Sequence, residues 1–305
     1  MLKNNRILVI GSSNTDMTLK TSHLPSKGET LIGQDFKISP GGKGANQAVA
    51  AKRLGQNCPV SLICKVGSDI FGSKSIENFS REGIDTSMIM RSKKPSGVAM
   101  ILVDDKGDNS IAIASGANYD ITVEDIEALK DTISEAGVVL LQFELLPEVV
   151  FRAAQIAHEA GAYVILNPAP AVFIPSEVFS FVDLFTPNQS EAEFYTGITV
   201  SDTTSAAQAA ETLVSKGVKN VIITMGSEGS VGYWDGKSFF TPAHKVEAVD
   251  ATAAGDTFCG ALAVALCEGE SLREAAEFAT AASALAVQKM GAQDSIPYRN
   301  NLSTQ

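Results

Sequence analysis

The feature that most constrains the fold of this chain is a regular alternation of short β-branched runs with helical patterns. Six apolar runs are typical of buried strands and fall at residues 6–11, 60–67, 138–144, 163–167, 183–188 and 220–226. Helical patterns lie between them, including residues 45–55, 147–161 and 203–217. The last two end on glycine, a common C-terminal signal of helices. The alternation predicts an α/β protein whose central, mostly parallel sheet is flanked by helices in a Rossmann-like three-layer arrangement.

Two regions interrupt this alternation. Residues 16–39 and 96–114 read as strands joined by turns without intervening helices, and the second contains D-K-G-D-N, a hairpin signature. They predict a small β-sheet lid on a single domain that spans residues 1–305, since no linker or repeat divides the chain. The apolar face of such a sheet needs a cover, which favours a homodimer formed through the lid.

Composition excludes several classes of partner. A formal net charge of −11 argues against nucleic acid or an anionic membrane as the main partner. The N-terminal apolar run is too short for a signal peptide, and no segment approaches the ~18 apolar residues of a membrane span. Four cysteines without a C-x-x-C pair and three scattered histidines disfavour zinc and disulfides. Reduced cysteines predict a cytoplasmic protein.

The stretch D-A-T-A-A-G-D-T-F, residues 250–258, precedes an apolar run that predicts a helix. A helix N-terminus carries unpaired backbone N–H groups and partial positive charge. Only small residues, Ala253, Ala254 and Gly255, lie there, so an anion can approach closely. Asp256 is then a candidate general base for an alcohol that attacks a phosphoryl group. The alternative is that Asp256 only stabilises the helix dipole.

A second glycine-rich segment, G-G-K-G-A-N-Q-A-V-A-A-K at residues 41–52, also enters a predicted helix. Lys43 and Asn46 offer donors and an acceptor that suit a polyhydroxylated ligand. The segment is not a Walker A loop, because Gly44 follows the lysine. It is not a dinucleotide fingerprint either, because Gln47 replaces the third glycine. The alternative is a flexible turn with an exposed lysine.

Polar side chains follow the predicted strands, where α/β sheets place their ligands. Asn14 and Asp16 follow the first strand, and Glu144 ends the run V-V-L-L-Q-F-E. We expect these three residues to lie near one another and to contact a ligand.

The pair Asn188-x-x-Glu191 lies after the fifth run. It fits magnesium bound through water, or equally a helix cap with a solvated acid. The turn T-M-G-S-E-G, residues 224–229, follows the sixth run and is either a tight turn facing a nucleotide or an ordinary β-turn.

Together these motifs resemble the ribokinase family of PfkB-type carbohydrate kinases. The resemblance runs in order through residues 11–16, 41–51, 166–170, 186–193, 250–258 and 291–297, which cover nearly the whole chain. The first glycine segment combined with A-A-G-D is highly specific, whereas N-x-x-E alone is weak.

The resemblance implies a role for each matched position. The sugar would be surrounded by Asn14, Asp16, Gly42, Lys43, Gly44, Asn46 and Glu144. Asp256 would be the general base, and Ala253, Ala254 and Gly255 would form the anion hole. ATP would face Asn188, Thr224, Gly226, Ser227, Gly229, Gly255 and Thr280. Thr280 departs from the family pattern, which has Asn or His near the adenine.

The resemblance also implies two metal ions. Glu191 would organise Mg²⁺, and a potassium-like ion would lie beside the anion hole. Its matching positions are Asp250, Thr252, Ala286, Lys289, Gly291 and Ser295, mostly through backbone oxygens, which suit a weakly hydrated monovalent ion.

The function expected from the resemblance is ATP-dependent phosphorylation of ribose at O5. A kinase for 2-deoxyribose or another small furanose is the first alternative, because losing one hydroxyl changes only one or two contacts. A nicotinamide-dependent oxidoreductase is disfavoured, since the first strand is followed by G-S-S-N-T-D and not by G-x-G-x-x-G. A catalytically silent sugar sensor is disfavoured by the presence of Asp256 and the anion-hole segment.

Overall fold

The computed structural model describes residues 2–302 and contains one large sheet and two smaller ones. The strands of this part of the chain are β1 (Ile7–Ile10), β2 (Asn14–Lys20), β3 (Phe36–Gly41), β4 (Val60–Ile63), β5 (Lys65–Gly67), β6 (Met90–Ser92), β7 (Gly97–Val103), β8 (Asn109–Ala114), β9 (Val138–Leu141), β10 (Tyr163–Leu166), β11 (Leu184–Phe185), β12 (Asn220–Thr224), β13 (Gly229–Trp234) and β14 (Lys237–Pro242). The large sheet has the order β14-β13-β12-β11-β10-β9-β1-β4. Strands β4 to β12 of that order run parallel, and β13 and β14 are antiparallel. The predicted mostly parallel sheet is therefore confirmed.

Helices cover both faces of the large sheet. They are α1 (Lys43–Leu54), α2 (Ile70–Glu82), α3 (Val123–Ala128), α4 (Lys130–Ser134), α5 (Pro147–Glu159), α6 (Ser176–Phe179), α7 (Gln189–Thr196), α8 (Thr203–Ser215), α9 (Ala254–Cys267), α10 (Leu272–Ala286) and α11 (Arg299–Leu302). None of the described helices is both long and apolar enough to span a membrane.

Successive residues of the central strands point to opposite faces of the sheet and pack in two separate apolar cores. In β9, Val138 and Leu140 pack in the core that contains α1, α9 and α10. Val139 and Leu141 point to the other face and pack in the core that contains α5 and α8. A strand covered on both sides needs apolar residues at every position, which explains runs that lack a polar alternation.

The structure differs from the predicted strands in three places. The run at 60–67 divides into β4 and β5, and β5 leaves the large sheet to pair with β6. Strand β11 has two residues, because Pro187 follows closely and has no N–H to continue a ladder. The β13–β14 hairpin was not predicted, although its Asp235-Gly236 turn, with φ of 52° and 73°, is a standard hairpin signal.

A separate four-stranded sheet has the order β3-β2-β7-β8, as the two regions without helices predicted. Paired residues share a face, and Asp16 pairs with Ala99 on one of them. The opposite face carries Met17, Leu19, Phe36, Ile38, Met100 and Leu102. Phe36, Ile38 and Met100 are about half exposed, so no other part of residues 2–302 covers this apolar face. Its role as a lid stays a prediction.

Candidate active site

Polar side chains converge where the parallel strands of the large sheet end. The segments that follow β1, β9, β10 and β11 contribute residues 11–14, 142–144, 167 and 186–188. Helices α1 and α9 both begin at this edge and pack closely against each other. A crevice at the carboxyl ends of parallel strands is where open α/β sheets bind their ligands.

Asp256 lies in the first turn of α9 and is 6% exposed. The helix begins after Ala253, whose φ of 60° turns the chain sharply into the helix. Asn46 Nδ2 donates to Asp256 Oδ2 at 2.9 Å, and Gln47 Nε2 donates to Asp256 Oδ1 at 3.1 Å. Both carboxylate oxygens are thus held by amides of α1. A carboxylate this deeply buried needs such donors.

The backbone at the start of α9 leaves donors free. Within residues 2–302, the N–H groups of Gly255 and Asp256 have no hydrogen-bond partner. Ala254 N, in contrast, donates to Ala251 O at 3.2 Å. A Cβ added to Gly255 would meet no atom within 4 Å, so the backbone there is open to a ligand. The predicted anion hole keeps open donors at Gly255, whereas the Ala254 N–H is already engaged.

A cavity of about 220 Å³ opens in front of these donors. It is lined by Lys43, Asn167, Ala169, Thr186, Asn188, Glu191, Thr224, Ala251, Ala253, Gly255, Asp256 and Cys259. A larger groove, of about 860 Å³, lies at the other end of the strands near Tyr163 and Asn220 and contains none of the predicted site residues. The smaller cavity is the candidate site because it contains the base, the free amides and both glycine-rich segments.

Glu144 organises the other side of the site. Its Oε2 atom accepts hydrogen bonds from Ser12 Oγ at 2.5 Å, the Lys43 backbone N at 3.0 Å and Asn14 Nδ2 at 3.4 Å. Asn118 Nδ2 donates to Asn14 Oδ1 at 2.7 Å, which orients the amide of Asn14 with its NH₂ group toward Glu144. The predicted proximity of Asn14 and Glu144 is thus present in the structure.

Asp16 lies next to this group but differs from it. The residue is 9% exposed, and its carboxylate has no hydrogen-bond donor within the described chain. Burial raises the pKa of Asp16 to about 7, with further contributions from the negative charges of Glu144 and Asp256. The carboxylate fits against Gly41, where any side chain would overlap it. Asp16 is an acceptor without a donor.

The glycine-rich entry to α1 is an ordered turn, and not the flexible turn of the alternative interpretation. Gly42 has a φ of 92°, and a Cβ there would lie 2.7 Å from Asn14 N. Gly44 approaches the backbone of Gly11, where a Cβ would lie 2.6 Å from two of its atoms. Lys43 lines the cavity. Burial lowers the pKa of Lys43, but the negative charges of Asp256 and Glu144 raise it above its usual value.

Asn188 and Glu191 form a helix cap. Asn188 Oδ1 accepts from Glu191 N at 2.9 Å, and Glu191 Oε2 accepts from Asn188 N at 2.8 Å. This is the capping-box alternative, yet both residues also line the cavity. Glu191 is 8% exposed, and burial raises its pKa. One motif therefore starts α7 and presents a carboxylate to the site.

Four of the residues predicted to face ATP, Gly226, Ser227, Gly229 and Thr280, lie outside the cavity lining. Gly226 and Gly229, with φ of 57° and 114°, bound a 3-10 turn in which Ser227 is exposed. Thr280 is buried in α10, and its hydroxyl donates to Ala276 O at 2.7 Å. The hydroxyl of Thr280 is therefore already engaged within its own helix, whereas Thr224 lines the cavity.

The segment 250–252 contacts the segment 286–295. Asp250 Oδ1 accepts from Thr252 N at 2.9 Å and Thr252 Oγ1 at 2.6 Å, and Asp250 Oδ2 accepts from Gly291 N at 2.8 Å. Burial by itself would raise the pKa of Asp250. The hydrogen bonds outweigh burial, so the pKa of Asp250 lies below its ordinary value. The backbone carbonyls of Asp250, Thr252 and Gly291 accept no hydrogen bond from residues 2–302. Free carbonyl oxygens lie in both of these segments.

The other positions of the predicted ion set differ from one another. Ala286 O accepts from Lys289 N at 3.2 Å, and the Lys289 side chain is exposed. Ser295 is fully buried and donates to Ala292 O at 2.8 Å. Residues 2–302 contain no group of three or more His, Cys, Asp or Glu side chains placed to hold a metal.

Several site residues were not predicted from the sequence. Gln47, Gln142 and Asn167 form a chain of amides behind Asp256, and Ser12 and Asn118 support Glu144 and Asn14. The available signal was position: Gln142 and Asn167 lie near the ends of the predicted strand runs 138–144 and 163–167. Amides at such positions are common, so the sequence alone did not separate these from others.

Comparison with known proteins identifies the class of enzyme to which this site belongs. The family model described as pfkB family carbohydrate kinase matches residues 4–299. The chain belongs to the pfkB family of carbohydrate kinases. The prediction of a phosphotransferase with an alcohol acceptor is therefore confirmed.

Individual relatives agree with this assignment along nearly the full length of the kinase. The chain is 43% identical to the ribokinase of Haemophilus influenzae over 96% of its own length and 95% of the relative. It is 38% identical to the deoxyribokinase of Salmonella typhimurium, with 95% of each chain covered. The structure of Arabidopsis thaliana ribokinase complexed with ribose and ATP superposes with a TM-score of 0.90, at 32% identity and 98% coverage of both chains.

Proposed function

We propose that this kinase transfers the γ-phosphate of ATP to O5 of ribose, giving ribose 5-phosphate and ADP. One observation carries the proposal: a buried carboxylate, Asp256, is held by two amides beside partnerless backbone N–H groups at a helix N-terminus. The similarity to a ribokinase whose structure contains ribose and ATP supports the choice of both substrates. Deoxyribose is the second candidate, supported by the deoxyribokinase relatives.

Asp256 removes the proton from the sugar O5 hydroxyl in this mechanism. The oxygen attacks the γ-phosphorus as the bond from that phosphorus to the ADP oxygen breaks, and the carboxyl group keeps the proton. The free N–H groups of Gly255 and Asp256 stabilise the charge that develops on the transferred group. Lys43 lines the same cavity and adds a positive charge to it.

The sugar is held by groups that lack partners of their own. Asp16 offers a carboxylate without a donor, and Asn46 Oδ1 is buried without a hydrogen bond within residues 2–302. Sugar hydroxyls supply the donors that these acceptors lack. Asn14 and Glu144 contact the same ligand from the opposite side in this proposal. Gly42 and Gly44 allow the backbone to approach it.

The residues present also fit the two predicted metal ions. Glu191 has a buried carboxylate at the cavity and would hold Mg²⁺ through water, and a bound Mg²⁺ neutralises the charge of nucleotide phosphates. Free carbonyls of Asp250, Thr252 and Gly291 suit K⁺, with Ala286, Lys289 and Ser295 in the adjoining segment. Asn188, Thr224 and Gly255 would face the nucleotide, with Gly226, Ser227, Gly229 and Thr280 farther out.

The small sheet is proposed to act as a lid and as the interface of a homodimer. A second copy covers the apolar face that carries Phe36, Ile38 and Met100 in this arrangement, because these side chains are exposed and contiguous. Sedimentation velocity tests it, since Met100→Asp should convert a dimer to monomers. A wild-type chain that sediments as a monomer would refute it. Four free cysteines support a cytoplasmic location.

A competition experiment tests the substrate. ATP consumption is measured with ribose, 2-deoxyribose and fructose separately and in mixtures, and the position of the phosphate is read by ³¹P–¹H NMR. The proposal expects the highest kcat/KM for ribose and a product phosphorylated at O5. A higher kcat/KM for deoxyribose would select the alternative, and phosphate on another hydroxyl would contradict the placement of Asp256.

A further inference from the structure

A chain of four buried amide and carboxylate side chains extends from the end of β9 to the candidate base. Gln142 Nε2 donates to Gln47 Oε1 at 2.5 Å, and Gln47 Nε2 donates to Asp256 Oδ1 at 3.1 Å. The same Gln47 NH₂ group donates to Asn167 Oδ1 at 3.2 Å. Gln47 and Gln142 are both 0% exposed, so water does not compete for these bonds. Neither Gln47 nor Gln142 lines the cavity of the candidate active site.

This chain allows only one orientation of the Gln47 carboxamide. In that orientation, its oxygen accepts from Gln142 and its two hydrogens point at two acceptors, Asp256 and Asn167. Rotation by half a turn would place the oxygen against two acceptors, the Asp256 carboxylate and the Asn167 Oδ1, so both hydrogen bonds would be lost. Buried polar groups left without partners are costly, so the observed orientation is strongly preferred.

The orientation of Asn167 is set independently. Its Nδ2 donates to Thr186 O at 3.0 Å, which leaves its Oδ1 as the acceptor for Gln47. The two amides that contact Gln47, those of Gln142 and Asn167, thus lie at the carboxyl ends of β9 and β10, two rigid strands in the middle of the large sheet. A site supported from rigid elements holds its reacting groups more accurately than one on loops.

Close packing of α1 against α9 brings Gln47 within reach of Asp256. Gly260 lies one turn after Asp256, and a Cβ there would come within 2.6 Å of Ala50 Cβ and 2.8 Å of Gln47 O. A larger residue at 260 would separate the helices. Gly260 therefore allows the close approach of α1 and α9 that brings Gln47 to Asp256.

We infer that Gln47, oriented by its bonds to Gln142 and Asn167, is a positioning residue that holds the Asp256 carboxylate in its reactive orientation. A hydrogen bond from an amide to a charged carboxylate is stronger than one between neutral groups. This inference rests on the proposed function, in which Asp256 accepts the proton of O5. It gives two residues, neither of which touches substrate, a supporting role in the reaction.

Other groups also act on Asp256 and must be kept constant in the test. Asp16 from β2, Lys43 from α1 and Glu191 from α7 each interact electrostatically with Asp256, and the Cys259 thiol lies on its own helix. All variants below leave these four residues unchanged.

The experiment compares Gln47→Met, Gln47→Glu and Gln142→Met by steady-state kinetics from pH 5 to 9. Met approximates the length of Gln without hydrogen bonds, whereas Glu keeps the shape of Gln but turns an acceptor toward Asp256. We expect kcat to fall about 10- to 100-fold for Gln47→Met. The loss should be larger for Gln47→Glu and smaller for Gln142→Met. KM for sugar and ATP should stay within about twofold, since the reaction loses an interaction in the transition state.

The pH profile separates positioning from packing. Gln47→Glu should move the acid limb of kcat to higher pH, because two neighbouring carboxyl groups then share a proton. A purely structural role predicts the opposite order, with the isosteric Gln47→Glu milder than Gln47→Met and an unmoved acid limb. Either of those results would overturn the inference. Should Gln47→Met fail to fold by thermal unfolding, Gln142→Met and Gln47→Glu carry the test.

Asp256→Asn, measured alongside, keeps the two hypotheses apart. If Asp256→Asn retains normal turnover, the base assignment fails and the inference falls with it. If Asp256→Asn loses turnover while the Gln47 variants keep wild-type kcat, the base stands and only the positioning role is wrong.

Discussion

The two buried aspartates of the site, Asp256 and Asp16, stand in opposite situations. Asp256 receives an amide donor on each oxygen, and one of these donors, Gln47, is itself held by Gln142 and Asn167 at the ends of β9 and β10. Asp16, in the small sheet, has no donor within residues 2–302, and its pKa is raised to about 7. The comparison indicates that the catalytic side is arranged before substrate binds, whereas the sugar side is completed by the substrate. The predictions below test that contrast.

Replacing the candidate base should have the largest effect. We expect Asp256→Asn to lower kcat by ~10²–10⁴, the usual contribution of a general base, with little change in sugar affinity. Asn keeps the shape and one acceptor, so the packing against Asn46 and Gln47 is largely retained. Initial rates at saturating ATP measure kcat, and sugar binding is measured by calorimetry. Near-normal turnover would remove the base assignment.

Replacing Asp16 should act on binding instead. Asp16→Ala removes a charged acceptor for the sugar hydroxyls, and we expect KM for the sugar to rise by about 10- to 100-fold. The KM for ATP serves as the internal control, since Asp16 lies on the sugar side of the site. An unchanged sugar KM would mean that Asp16 does not contact the sugar, and the contrast between the two aspartates would lose its functional meaning.

We expect the proposed monovalent ion to act beside the helix N-terminus at Asp256 and to change kcat more than sugar binding. We expect several-fold higher kcat in KCl than in NaCl at equal ionic strength, because carbonyl oxygens suit the larger ion. The difference should disappear in Asp250→Ala, whose carboxylate joins Thr252 to Gly291. Equal rates in the two salts would contradict the ion site, and thermal unfolding controls for loss of the fold.

The smallest effect concerns stability without sugar. A folded-state pKa of about 7, raised above the ordinary aspartate value of 3.8, means that protonated Asp16 favours the fold. This contribution is fully present below pH ~4 and is lost as the pH rises through 7. Asp16→Asn is neutral at every pH, so its melting temperature should exceed that of the wild type by a few degrees at pH 8.

The difference between Asp16→Asn and the wild type should close as the pH falls toward 4. Differential scanning fluorimetry across this range measures it, and Asp256→Asn provides a matched control in the same site. A wild-type protein that is more stable than Asp16→Asn at pH 8 would show that Asp16 has a donor in solution. The contrast with Asp256 would then be wrong.

The sequence alone determined the architecture and predicted which residues form the candidate site. The strand and helix runs predicted the parallel sheet because a strand buried on both faces must be apolar throughout, as β9 is. The two glycine-rich segments and Asp256 were recognisable because helix N-termini bind anions through the backbone, and this requires small residues in a fixed local order. Such patterns involve residues that are close together in the chain, so they can be recognised from the sequence alone.

Only the tertiary structure decided which side chains support the base and which remain open. Gln47 and Gln142 are separated by 95 residues, and Asn14 and Asn118 by 104, so no local pattern joins them. The spacing of Asn188 and Glu191, in contrast, is local but fits either a helix cap or a metal site. Only the structure shows that the two residues form a cap and also line the cavity. Hydrogen-bond partners inside a protein are chosen by the packing of distant elements. The spacing of apolar residues in a strand or helix shows which side of that element is buried, but not which distant side chains it contacts.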